Sequence, residues 1–343
     1  MNSIRPIALN GHERSLTQVK FNREGDLLFS VSKDKEASVW YSSNGERLGT
    51  LVGHGGTIWS IDVDPETNYV ITGSGDFSFK LWKAETGECV RTWVLPAPVK
   101  WVEFNPTGEK AVVIEDKVMS SPGRVLVYAI NQNLNDHSEE PILSIPTEEG
   151  KQKAVCAGFS YGGKYLIVCL VDGTILKYDS ETGELLGEVK DHEDLITDIQ
   201  FSSDKTYFIT ASKDKTARIY DVDDLKLLKT YLSPAPLNTA CITPVKEFVI
   251  VGGGQDAKDV TTTAGKEGNF EARFLHKIFE HEIGTVKDHF GPLNCLSVHP
   301  KGIAYASGSE DGFVKIHFLP KAYFDFQYDV EKANPVGKKI EIN

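Results

Sequence analysis

Four histidines in this chain each stand 22 residues before an aspartate: His12 before Asp34, His54 before Asp76, His192 before Asp214 and His289 before Asp311. A carboxylate that orients an imidazole is the core of general-base catalysis, and the same residue types ligate zinc. Two further positions repeat in register with them. A hydroxyl lies four residues before each aspartate, at Ser30, Thr72, Thr210 and Ser307, and a ring six residues after it, at Trp40, Trp82, Tyr220 and His317. An active site needs its constellation once; the same constellation four times over marks a repeated structural unit. The pairs therefore read as structural, and no catalytic residue, metal ligand or cofactor is expected. No nucleophile, base and oxyanion donor come together elsewhere, so the chain does not read as an enzyme.

The elements that must position these residues are short strands. At four, seven and nine residues after each histidine stand Leu16, Val19 and Phe21; Ile58, Ile61 and Val63; Ile196, Ile199 and Phe201; Leu293, Leu296 and Val298. This spacing of apolar residues, followed by turn residues such as Asn22 to Gly25, predicts a small antiparallel meander per unit. Successive histidines are 42, 138 and 97 residues apart. At a period of about 40 to 50 residues the second gap hides two degenerate units and the third hides one, which makes seven. Val99 to Pro106 opens the third, Val155 to Phe159 with Asp172 and Tyr178 forms the fourth, and Leu237 to Pro244 opens the sixth. Leu95, Gly150 and Ser233 replace their histidines.

This register resembles the WD40 family over about residues 1 to 319. The resemblance implies an all-β fold, a seven-bladed WD40 β-propeller, in which histidine, hydroxyl, aspartate and tryptophan form a buried hydrogen-bonded network inside a blade. That carries over fully to the units of His12 and His54, whereas Tyr220 and His317 leave the fourth bond open. Nothing suitable follows the last unit's third strand, Phe313 to Leu319, except Ile4 to Leu9. The N-terminal strand is therefore expected to close the ring, which leaves no raw sheet edge. Residues 320–343 form a short C-terminal tail, with an aromatic start, Tyr323, Phe324 and Phe326, and then a disordered end. The aromatic start is expected either to pack on the ring's flank or to contact a partner.

Other motifs have structural explanations. Gly158 to Tyr165 nearly spells a phosphate-binding loop, but Tyr165 replaces the hydroxyl that would hold magnesium, so a blade turn is expected. Gly252 to Gly268 reads as a polar insertion. Asn131 to Gly150, with Asp136, Glu139, Glu140, Glu148 and Glu149, reads as a solvated acidic loop. Loop residues beside the repeated network, Arg14, Lys33, Lys213, Glu193, Asp194 and Glu310, include no arginine cluster of the kind that captures phosphopeptides.

Composition narrows the function. The chain has 343 residues, 37 Lys plus Arg against 49 Asp plus Glu, and a net charge of −12. Direct nucleic-acid binding is expected to be slight, because its affinity comes from cations on phosphates. The five cysteines are widely spaced and form no C-x-x-C pair, which points to a reducing compartment. Met1 to Asn10 has no apolar core of signal-peptide length, and no stretch approaches a membrane span. A soluble cytoplasmic protein is expected.

Leu9 to Asn22, Gly252 to Thr263, Phe270 to Phe274, His289 to Asn294 and Tyr323 to Phe326 closely resemble the subunit i family of eukaryotic translation initiation factor 3. The resemblance implies a noncatalytic scaffold subunit that binds subunits b and g and supports preinitiation-complex assembly and mRNA scanning on the small ribosomal subunit. A WD40 signalling adaptor, receptor-kinase-associated or G-protein β-like, is the alternative, and the match in the sixth unit and the tail argues against it. A basic amphipathic helix of subunit b is expected against Asp204, Ile219, Asp221 and Asp224, with Asp223 beside them.

Overall fold

In a computed structural model the described residues are 5–118, 123–131, 137–146, 153–255 and 270–327. They form seven four-stranded antiparallel sheets. Blade one runs through Leu16–Phe21, Leu27–Ser32, Ala37–Tyr41 and Arg47–Leu51 in spatial as in chain order. The first strands of the seven blades, beginning at Leu16, Ile58, Val99, Ala154, Ile196, Leu237 and Leu293, pack each on the next and the last on the first. The ring therefore closes around a central channel, and the fold is a seven-bladed β-propeller.

The core lies between blades. Trp40 and Leu28 of blade one pack with Ala304, Ala306 and Ile316 of blade seven, and Phe29 and Val31 pack with Ile58, Ile61 and Trp82 of blade two. Second strands such as Leu27–Ser32 are buried on both faces and read as nearly continuous apolar or small residues. Fourth strands such as Arg47–Leu51 are exposed over most of their length and mix polar with apolar residues.

Ring closure uses the N-terminal strand. Ile7–Leu9 pairs antiparallel with Val314–Phe318, Ile7 opposite Ile316 and Leu9 opposite Val314, and Leu9 is buried. All seven first strands share one irregularity, a register shift near the first residue, as between Leu16 and Gln18 or Leu293 and Cys295. Such a bulge sharpens the local twist, which helps the inner strands pass one another around the axis.

Two segments differ from the sequence expectation. The acidic stretch Asn131 to Gly150 contains the outer strand of blade three, Leu143–Pro146, paired with Arg124–Ala129. Its short alternation of apolar and polar residues finds a partner only once the neighbouring strand is in place. Gly252 and Gly253 belong to the strand Phe248–Gly253, and residues 256–268 of that insertion lie outside the described residues. Gly158 to Tyr165 is a blade turn between two strands. Among the described residues no helix is long and apolar enough to cross a membrane.

Candidate functional site

The repeated residues meet inside their blades. In blade one Trp40 Nε1 donates to Ser30 Oγ at 2.8 Å, Ser30 Oγ meets His12 Nε2 at 2.8 Å, and His12 Nδ1 meets Asp34 Oδ2 at 2.8 Å. Blade two repeats this with Trp82, Thr72, His54 and Asp76 at 2.8, 2.7 and 2.8 Å. Since the indole can only donate, the hydroxyl passes its own proton to Nε2, and Nδ1 donates to the carboxylate. His192 lies 2.7 Å from Asp214 and 2.8 Å from Thr210; His289 lies 3.0 Å from Asp311 and 2.8 Å from Ser307. Each aspartate also accepts the backbone N–H of the residue after its histidine, Glu13, Gly55, Glu193 or Phe290, and so pins the loop.

Electrostatics fix the protonation. Burial alone would raise the Asp76 pKa, but hydrogen bonds from Ser78, His54 and the Gly55 N–H hold it down at about 2. Burial lowers the pKa of His54 against the pull of Asp76, so the ring is neutral beside an ionised carboxylate. Both ring nitrogens are engaged, which leaves neither for a substrate or metal. The last position weakens in two blades. The buried Tyr220 hydroxyl has no hydrogen-bond partner among the described residues, and His317 Nε2 sits 3.4 Å from Ser307 Oγ.

Blade five carries the acidic turns. Asp204 Oδ1 accepts from Ser202 Oγ at 2.6 Å and Thr206 Oγ1 at 2.9 Å, and these bonds outweigh burial to keep its pKa low. Asp221 Oδ1 accepts the Asp223 N–H at 2.8 Å, and Asp224 Oδ1 the Lys226 N–H at 2.8 Å. The Val222 N–H donates to Thr206 O at 3.0 Å, which sets the two turns side by side. In each of the three carboxylates Oδ1 carries the turn, and Oδ2 accepts no hydrogen bond among the described residues. Asp223 instead accepts from Tyr161 OH at 2.7 Å.

Ile219 does not belong with them. It is 2% exposed and packs in the core between blades five and six. Its place in the third strand points it into the interface, and the apolar residues exposed beside the acidic turn are Leu227 and Leu228. The tail rings also meet the chain itself. Tyr323, in the helical turn Lys321–Asp325, lies 5.1 Å from the Phe248 ring, and Phe326 lies 5.8 Å from it. Lys246 Nζ donates to Phe326 O at 3.1 Å, and Phe324 is half-buried against Tyr323. Blade six thus packs against these rings, which stay partly exposed.

Sequence reasoning missed the charges inside the channel. Lys20 Nζ lies 3.2 Å from Asp62 Oδ1, and Lys205 Nζ lies 3.4 Å from Glu103 Oε1. A signal was present: Lys20, Asp62 and Glu103 are each the fifth residue of a first strand, where a buried charge must find a partner across blades.

Comparison with known proteins places this ring in a family. A family model described as EIF3I matches residues 4–329. Eukaryotic translation initiation factor 3 subunit I of Vanderwaltozyma polyspora is 57% identical over 335 residues, 96% of this chain and 96% of that protein. Its counterparts in Candida albicans and Saccharomyces cerevisiae are also 57% identical, over 96% of this chain and 97% of theirs. A family model over residues 4–329 and relatives 57% identical along nearly the whole chain lead to one conclusion: the chain belongs to the eukaryotic translation initiation factor 3 subunit I family.

Proposed function

We propose that the ring is a noncatalytic cytoplasmic scaffold that holds subunits b and g of the initiation factor 3 complex. It contacts the small ribosomal subunit through that complex and supports preinitiation-complex assembly and mRNA scanning. Family membership supports the place in the complex. The carrying observation for the partner contact is the pair of adjacent acidic turns on blade five. Asp204, Asp221 and Asp224 each hold a turn with Oδ1, while Oδ2 accepts no hydrogen bond among the described residues, and exposed Leu227 and Leu228 lie next to them. A basic amphipathic helix of subunit b fits this pattern, apolar side on the leucines and Arg or Lys on the carboxylates. Reversing two charges at such a contact costs several kcal/mol of affinity, on the order of a hundredfold or more. Pull-down of subunit b by the Asp204→Lys, Asp221→Lys double variant should fail, and the Asp204→Asn, Asp221→Asn variant, whose amide oxygens still accept the turn bonds, should weaken capture with a melting curve near that of the parent. Retained capture would remove blade five from the interface.

A further inference from the structure

On the face that carries the four His and Asp pairs, the channel opens through a cavity of about 690 Å³ walled by all seven blades. Its charge runs against that of the chain. Lys33, Lys100, Lys153 and Lys213 line it with two carboxylates, Asp116 and Glu310, in a protein of net charge −12. Lys33 is matched by Glu310 at 3.1 Å, and Lys213 donates to Asn238 Oδ1 at 2.7 Å. Across the mouth, Lys100 and Lys153 share a single carboxylate, Asp116, at 3.9 and 3.2 Å. Among the described residues, two cations on one anion leave positive charge on the side of blades three and four. Burial lowers the Lys100 pKa, Asp116 opposes this and Lys153 adds to it, so a further anion there relieves an existing strain. Trp101, next along the strand from Lys100, lines the same cavity at 8% exposure, and its indole N–H has no acceptor among the described residues.

We propose that this mouth binds an acidic peptide segment, with one carboxylate received between Lys100 and Lys153. The observations favour a peptide over single-stranded nucleic acid. Lys100 Nζ sits 3.6 Å from the centre of the Trp59 ring and covers that face, and Trp101 is largely buried, so neither indole offers a platform for base stacking. A long polyanion would also meet the acidic surface beyond the mouth. The site lies at the opposite end of the channel from the turns of Asp204 and Asp221, so both can be occupied at once.

The test uses the full chain and a fluorescein-labelled hexaglutamate peptide, followed by fluorescence polarisation at low salt, with a labelled uridine hexanucleotide as a second probe. The parent should bind the peptide, and the Lys100→Glu, Lys153→Glu double variant should lose about tenfold or more in affinity. Lys301→Glu, on the opposite face, should bind within about twofold of the parent. Unlabelled peptide should alter the tryptophan fluorescence of the parent, and the Trp59→Phe variant should report a smaller change. Equal peptide binding by parent and double variant, or no binding by the parent at about 1 mM peptide, overturns the proposal. Tighter binding of the oligonucleotide with the same lysine dependence overturns it in favour of RNA. Should the double variant melt earlier than the parent, Lys153→Gln alone gives the same reading with a smaller loss.

Discussion

Blades one and two bury a chain of polar groups where blades three, four and six bury hydrocarbon. The position that holds Ser30 or Thr72 is Val113, Val168 or Val251 in the other three, each opposite the matching first-strand residue, Val102, Ala157 or Ala240. Thr and Val have nearly the same shape, so the blade geometry survives the exchange. What changes is whether a histidine can be buried there. A hydroxyl without the imidazole, or an imidazole without the hydroxyl, leaves a polar atom unpaired in the core, a cost of about 1–3 kcal/mol. The residues therefore appear and disappear together. Blades without the network find other ties. Phe79, Trp93 and Tyr128 pack between blades two and three at 4.6 and 4.8 Å, and Trp93 Nε1 donates to Ser138 O at 2.8 Å. In blade four Asp172 pairs with Lys190 at 2.8 Å. Blades five and seven stand between the two kinds, with histidine, hydroxyl and aspartate in place and a poor or missing fourth bond.

The largest way to break this contrast is Trp40→Ala, which removes a 2% exposed ring and its bond to Ser30. A loss of roughly 3–5 kcal/mol in urea unfolding is expected. Trp40→Phe keeps much of the packing and should recover more than half of it; equal losses would mean that the bond, not the ring, dominates. Next is pH. Burial brings the His317 pKa from 6.5 to about 4, so the folded ring stays neutral while the unfolded one takes a proton. Its stabilisation is full above pH 6.5 and is lost as the pH falls toward 4. Relative to a His317→Phe variant, the parent should lose roughly 2–3 kcal/mol between pH 7 and pH 4. Parallel pH curves for the two proteins would show that His317 is not buried as a neutral ring. The smallest change is Thr72→Val, which gives blade two the residue of the degenerate blades but leaves His54 and Trp82 in place. About 2 kcal/mol should be lost on thermal or urea melts, since two buried partners lose their shared hydroxyl. No loss would make the network a passenger of the packing.

Much of the fold was legible because a propeller repeats its grammar. One register of histidine, hydroxyl, aspartate and ring, read four times, located the first strands at Leu16, Ile58, Ile196 and Leu293, and the same spacing then exposed those at Val99, Val155 and Leu237 in blades without the histidine, the fourth unit's strand starting one residue earlier, at Ala154. The outer strand Leu143–Pro146 escaped because an edge strand facing water has no pattern of its own to distinguish it from a loop. Ile219 was misplaced for a related reason. Alternation says that neighbours face opposite ways, but in a blade covered on both faces either way leads inward. The tail was ambiguous until Phe248 and Phe274 were seen to offer rings for Tyr323 to meet.

The sequence by itself determined the number of blades, the residues of each buried network and the closing strand, because each follows from spacing along the chain. Only the tertiary structure decided which charges gather at the channel. Lys100 and Lys153 come from blades three and four, and Lys33 and Lys213 from blades one and five. They stand around one mouth because the ring brings seven first strands to a common axis. Nothing in their local sequence marks them, since an electrostatic site is set by distances through space.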